Sequence, residues 1–136
     1  MARKGYKKYG NKKVYAFGTV FDSRLEHDHF LVLLDLEQKG VIADLKHHPG
    51  PFEIVPRTVG PDGRVHRVAE FTPDFSFIDV ATGIFVIEDT KGVIDAASSL
   101  RIRMLAALHP HWIVRIVKKA NQWRPIKLKL TQRKPG

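Results

Sequence analysis

The run from Pro73 to Gly92, Pro-Asp-Phe-Ser-Phe-Ile-Asp-Val-Ala-Thr-Gly-Ile-Phe-Val-Ile-Glu-Asp-Thr-Lys-Gly, constrains this chain more than any other. It reads as two strands joined by a tight turn at Ala81-Thr82-Gly83. The second arm, Ile84 to Ile87, is an unbroken apolar run of β-branched and aromatic residues, which suits a strand buried on both faces. It ends in charge, at Glu88, Asp89 and Lys91. The first arm, from Asp74 through Phe75, Ser76, Phe77 and Ile78 to Asp79, is a strand with a carboxylate near its start.

Register decides whether those charges meet. A loop of two or four residues centred on Ala81-Thr82 sets Asp74 directly opposite Asp89, whereas a three-residue loop with a bulge at Gly83 slips the pairing by one. Side chains two apart on a strand share a face, so Lys91 lies on the side of Asp89. Glu88 points the other way and is a reserve ligand only if the hairpin slips. Two carboxylates held opposite each other repel unless a cation sits between them. The cluster asks for a metal, with a lysine beside it. Hard oxygen ligands select magnesium, with manganese as a substitute. A metal, a water nucleophile and a cation beside a phosphate are also what phosphodiester hydrolysis needs.

The rest of the chain supplies layers for that hairpin. Val14 to Phe21 reads as a short strand or an extended lead-in. Ser23-x-x-Glu26 is a capping box ahead of an apolar run, and Gly40 sits where a helix should end. Phe30, Leu31, Leu33 and Leu34, with Leu25 and Leu36, form that helix's expected stripe. Glu26 has two readings: the reciprocal cap to the Ser23 backbone N–H, or a third acidic ligand delivered from the helix. Val41 to Leu45 is a short apolar piece and His47-His48-Pro49-Gly50-Pro51 a break. Strands follow over Phe52 to Arg57 and from Arg64 or Val65 through Val68 to Phe71, linked by a Gly60-Pro61-Asp62-Gly63 turn. Ala96 to Leu108 is a helix, with Leu100, Met104, Leu105 and Leu108 on one face and Arg101 and Arg103 free for phosphate. Trp112 to Val117 is a strand. Ile126 to Leu130 alternates like an edge strand. The order helix, three strands, helix, strand predicts an α/β domain with a mixed sheet and helices on its faces. It occupies residues 14–118, between a flexible basic arm (1–13) and a basic tail (119–136).

Charge points to the partner. The 136 residues carry a formal net charge of +9, unevenly placed. Arg3, Lys4, Lys7, Lys8, Lys12 and Lys13 crowd the first segment without an acid, and no acid follows Asp95. Lys118 and Lys119 open the basic tail. Such a surface around an acidic centre suits a polyanion bound over a metal site. In the arm, Tyr6 and Tyr9 are placed to stack on bases or to pack on the body. Cysteine is absent, which excludes disulfides and zinc–thiolate sites. With no signal-like or membrane-spanning apolar run, the expected setting is cytoplasmic, without a membrane partner. The histidines His27, His29, His47, His48, His109 and His111 fit no familiar zinc spacing and read as surface or phosphate-facing groups. Trp112 belongs to the core; Trp123 is open between core and base stacking.

Pro-Asp, a hydrophobic strand and Asp-x-Lys together resemble the signature of the PD-(D/E)XK nuclease superfamily. The likeness runs further. Lys8-Tyr9-Gly10-Asn11-Lys12-Lys13, Phe21-Asp22-Ser23-Arg24-x-Glu26, Pro73-Asp74-Phe75 and Glu88-Asp89-Thr90-Lys91-Gly92 follow in order, from Lys8 to about Val117. This resembles small phage-encoded endonucleases and is similar in layout to phage Holliday-junction-resolving endonucleases. The resemblance implies a restriction-endonuclease-like αβββαβ core and a Mg2+-dependent endonuclease acting on branched DNA in the host cytoplasm. It implies Glu26 as the helix-borne acid, Asp74 and Asp89 as metal ligands and Lys91 as the catalytic lysine. Paired nicks in a two-fold junction imply a homodimer. The rival expectations are a non-catalytic nucleic-acid-binding or architectural module and a nuclease of other branched or duplex DNA. Carboxylates facing phosphate repel it, so a pure binder leaves the acidic cluster without a purpose.

Overall fold

The computed structural model describes residues 12–120 and 123–129. Twelve elements follow in chain order: β1 (Val14–Ala16), β2 (Thr19–Phe21), α1 (Arg24–Gln38), β3 (Ile42–His47), β4 (Phe52–Val55), β5 (Thr58–Val59), β6 (Val65–His66), β7 (Ala69–Phe71), β8 (Phe75–Asp79), β9 (Phe85–Thr90), α2 (Ala96–Leu108) and β10 (Ile113–Val117). The protein is a mixed α/β domain. Its central sheet has the order β10-β9-β8-β3, with β3, β8 and β9 antiparallel in succession and β10 parallel to β9.

The hairpin takes the four-residue loop. Phe75 pairs with Glu88 and Ile78 with Phe85, and the Asp79 N–H donates to the Ile84 carbonyl. The turn is held by Asp79, whose Oδ2 accepts from the Thr82 N–H (3.1 Å) and hydroxyl (2.5 Å). Gly83 closes it at φ 72°, a conformation that costs glycine little. The register therefore sets Asp74 against Asp89, as the parity of the loop requires.

Each face of the central hairpin meets a helix. On one, Phe75, Phe77 and Val86 pack with Leu33 and Phe30 of α1 and with Ile42 of β3. On the other, Ile87 packs with Ile102 and Leu105 of α2 and with Ile54 and Phe71. Helix α1 starts at Ser23, whose Oγ accepts from the Glu26 N–H at 3.1 Å. It ends in a Schellman arrangement: the Gly40 N–H reaches the Glu37 carbonyl and the Val41 N–H the Leu36 carbonyl.

Several expectations are corrected. The segment Val14–Phe21 is a hairpin turning at Phe17-Gly18, both at positive φ, rather than one strand. The piece after Gly40 is a strand of the central sheet and extends to His47. The Phe52–Phe71 strands lie outside that sheet and form a two-part ribbon, β4 with β7 and β5 with β6. The buried stripe of α2 is Ser98, Ile102 and Leu105, while Leu100 and Leu108 are exposed. In α1, Leu31 is exposed and the inward positions are Glu26, His29 and Leu33. Part of the expected tail belongs to the body: Trp123 and Ile126 pack against the α1-side core, and no strand is assigned over residues 123–129. Leu130 lies outside the described residues. Among the described residues no helix is long and apolar enough to cross a membrane.

Candidate metal centre

Asp74 and Asp89 meet at the carboxyl end of β9. The Asp74 N–H donates to Asp89 Oδ1 at 3.2 Å. In return, Asp74 Oδ2 accepts from the Thr90 N–H at 2.7 Å and from its hydroxyl at 2.6 Å. These bonds fix both carboxylates, yet the buried Asp89 Oδ2 accepts no hydrogen bond from the described residues. Among the described residues its cationic neighbour is Lys91, whose Nζ stands at 3.8 Å. An ionised carboxylate in that position is costly. Burial, and after it the charge of Asp74, pushes the Asp89 carboxyl up to about 7.

Glu26 comes to the same place from the first turn of α1. Its side chain is buried, with Oε1 accepting from the Asp22 N–H at 3.0 Å. The reciprocal cap thus goes to Asp22 rather than to the Ser23 N–H, and it uses only one oxygen. The other, Oε2, faces two imidazoles: His47 Nε2 at 2.5 Å and His48 Nε2 at 2.8 Å. The same His48 nitrogen lies 3.9 Å from Asp22 Oδ2 and 3.9 Å from Asp74 Oδ1. Glu26 therefore caps the helix and joins the acidic cluster. Its two readings are compatible because they use different oxygens.

The carboxylates open onto a cleft of about 290 Å³ whose lining includes Asp22, Glu26, Asp74, Thr90, Lys91 and Asp95. Both helices start at its rim, α1 after Ser23 and α2 after Asp95, whose Oδ1 caps the Ser98 N–H at 2.7 Å. Helix N-termini carry partial positive charge and favour an anion such as phosphate at the mouth of the site.

Glu88 takes no part in this cluster. Without a slip in the hairpin it faces α1, where His29 Nε2 meets its Oε1 at 2.6 Å and two Arg115 nitrogens meet its Oε2, each at 2.7 Å. Burial raises its pKa, but His29 and Arg115 outweigh that and hold the carboxyl below its ordinary value. As a reserve ligand Glu88 is ruled out by geometry: both of its oxygens are engaged on the far side of the sheet.

Of the expected DNA-contacting residues, Lys4, Lys7 and Lys8 lie outside the described residues. Lys12, Lys13, Arg103, Lys118 and Lys119 are exposed. Arg101 is half-buried rather than free, since its guanidinium lies over the Phe71 ring at 5.9 Å and reaches the Ser98 hydroxyl. Trp123 packs on Phe77 and carries the Arg115 guanidinium over its ring at 5.3 Å, so it serves the core. Sequence reasoning missed three contributors. His47 and His48 reach Glu26 only because β3 is irregular near Asp44 and His48 adopts φ 54°. Thr90 anchors Asp74, and the Asp-Thr-Lys spacing, with Thr90 next to Asp89, was the available signal.

A mixed sheet whose central hairpin delivers opposed carboxylates, with a lysine on the same face and a third acid from a helix start, defines the class: an α/β domain with a candidate cation centre at its strand ends. Over residues 6–121 the chain matches the family described as "Protein of unknown function (DUF1064)", and it belongs to that family. No curated protein and no solved structure matches it.

Proposed function

We propose that this chain is a Mg2+-dependent DNA endonuclease of the PD-(D/E)XK kind, with four-way junctions as its preferred substrate. One observation carries the reading. Asp74 stands opposite Asp89 at the end of the hairpin, Lys91 shares their face, and Glu26 converges from α1 on the same cleft. Such a cluster repels itself without a cation, and the buried Asp89 Oδ2 accepts no hydrogen bond from the described residues. The donor set, carboxylate oxygens above all, suits a hard divalent ion. Asp74 and Asp89 would hold it, with Glu26 alongside.

When bound, such an ion would supply Lewis acidity toward the phosphate. The chain supplies the rest. Thr90 clamps Asp74 so that its Oδ1 is presented toward the cluster. Lys91, partly exposed beside the cleft, is placed to orient water or to balance charge growing on a phosphate. The two helix starts favour the phosphate itself. The exposed Lys12, Lys13, Lys118 and Lys119 would hold the flanking strands without regard to sequence. The preference for junctions rests on the likeness to junction-resolving endonucleases and calls for a homodimer with two centres.

Cleavage of a labelled four-way junction beside linear duplex, in Mg2+, in Mn2+ and in EDTA, tests this. Paired symmetric nicks that vanish in EDTA are the expected result. Cutting of both substrates would keep the nuclease and discard the junction preference. Binding without cutting in either metal would leave a non-catalytic module. Asp74→Ala, Asp89→Ala and Lys91→Ala should each lower the cleavage rate by about 10²-fold or more while junction binding survives. Sedimentation that shows a monomer with and without junction would sink the paired-nick reading.

A further inference from the structure

We infer that His48 is a nitrogen ligand of the metal centre, together with Glu26, Asp74 and Asp22, and that this raises the site's affinity for Mn2+ relative to Mg2+. The assignment rests on the metal-dependent reading above and refines it. His48 Nε2 is the one atom in the cluster that faces three carboxylates at once: Glu26 Oε2 at 2.8 Å, Asp22 Oδ2 at 3.9 Å and Asp74 Oδ1 at 3.9 Å. These four side chains present one donor atom each, all within 4.8 Å of one another. Two ligands at right angles, each ~2.1 Å from one ion, lie about 3 Å apart, so the observed separations need only a small contraction. Beside them, the buried Asp89 Oδ2 accepts no hydrogen bond from the described residues.

The imidazole is built in rather than wandering. His48 lies in the left-handed region at φ 54°, where a non-glycine residue needs a reason to stay. Its backbone N–H donates to the Asp74 carbonyl at 2.7 Å, which ties it to a ligand residue. Its ring stacks on His47 at 3.8 Å, and His47 stacks in turn on Phe21 at 4.5 Å. His47 is the less suitable ligand. It faces Glu26 alone among the carboxylates, and its Nδ1 is turned toward the Thr19 hydroxyl. It serves as a positioning residue that steadies Glu26 and the His48 ring.

One nitrogen among oxygens shifts the chemistry. Magnesium favours oxygen donors, whereas first-row transition ions gain from imidazole, and manganese is the member of that series that also tolerates carboxylates well. The donor set thus fits Mn2+ better than the all-oxygen pair Asp74 and Asp89 does alone.

Mn2+ titrated into the whole protein, followed by pulsed electron paramagnetic resonance, reads the ligand atoms directly. The expected spectrum shows ¹⁴N coupling from one imidazole, absent in His48→Gln and retained in His47→Gln. Losing an outer-shell partner already costs metal sites ~10–100-fold in affinity, so His48→Gln should weaken Mn2+ at least tenfold and Mg2+ less. Bound Mn2+ without ¹⁴N coupling, in a protein that cleaves DNA, would overturn this assignment and leave the nuclease standing. Coupling that persists in His48→Gln would overturn it as well. No Mn2+ binding at millimolar metal would overturn both readings. If a variant misfolds, a wild-type Mn2+ spectrum without ¹⁴N coupling still overturns the assignment.

Discussion

Asp89 shows how much one residue can be asked to bear. Its neutral form is favoured in the folded chain, because burial and Asp74 raise its pKa from 3.8 to about 7. The folded state then binds a proton more tightly than the unfolded state. Without metal, stability is highest at acid pH and falls as pH rises between those two values. The loss is on the order of 4 kcal/mol once the proton is gone. Chemical denaturation in EDTA at pH 5.5 and 8.5 should show this fall, and Asp89→Asn should flatten it. A divalent ion competes with the proton, so apparent metal affinity should climb over the same interval. A metal-free wild type as stable at pH 8.5 as at 5.5 would contradict the strain placed on this carboxylate. The opposition of Asp74 and Asp89 was legible beforehand, because parity across a four-residue loop fixes it. The partners of Glu26 were not: they depend on a left-handed His48 and an irregular β3, which no local pattern announces.

At the level of elements, β9 carries two electrostatic systems back to back. Asp89 faces Asp74 and Lys91; Glu88, one residue earlier, is locked to His29 of α1 and Arg115 of β10. That triad pins the strand's rotation and so the direction of Asp89. Removing Arg115 leaves a buried carboxylate with half its partners, and breaking a buried pair in this way costs ~3–5 kcal/mol. Arg115→Met should be destabilised by about that much in urea, and adding Glu88→Leu should restore most of it. If the single variant is as stable as wild type, the triad is not holding the strand. The helices were easier to foresee than the faces they bury. Ser23 and Gly40 marked the ends of α1 through known capping chemistry. In α2 the leucines suggested a stripe through Leu100 and Leu108, but the helix turns Ile102 and Leu105 inward and seats the small Ser98 against the body. Apolar spacing alone does not tell which of two offset stripes meets the sheet.

For the molecule as a whole, charge and topology divide the work. The acids that matter lie together in one cleft, while Lys12, Lys13, Arg103, Lys118 and Lys119 remain exposed on the surface. On the nuclease reading, binding to junction or duplex should weaken steeply with salt, each phosphate contact adding ~0.9 to the slope of log affinity against log salt. Lys118→Glu with Lys119→Glu should shrink that slope by up to about 2 and leave Mn2+ affinity unchanged. An unaltered slope would place the DNA elsewhere. The α/β order was readable from the sequence, but the ribbon was not, since its strands look locally like members of the central sheet.

That ribbon cuts the centre in two along the chain. Asp22, Glu26 and His48 come before it; Asp74, Asp89 and Lys91 come after, and its tip at Pro61-Asp62 is exposed. A chain opened at that tip would put Asp22, Glu26 and His48 on one fragment and Asp74 and Asp89 on the other, so the full donor set would form only when the fragments join. Metal capture would then report that the fragments have found each other, which makes this fold a ready-made split sensor.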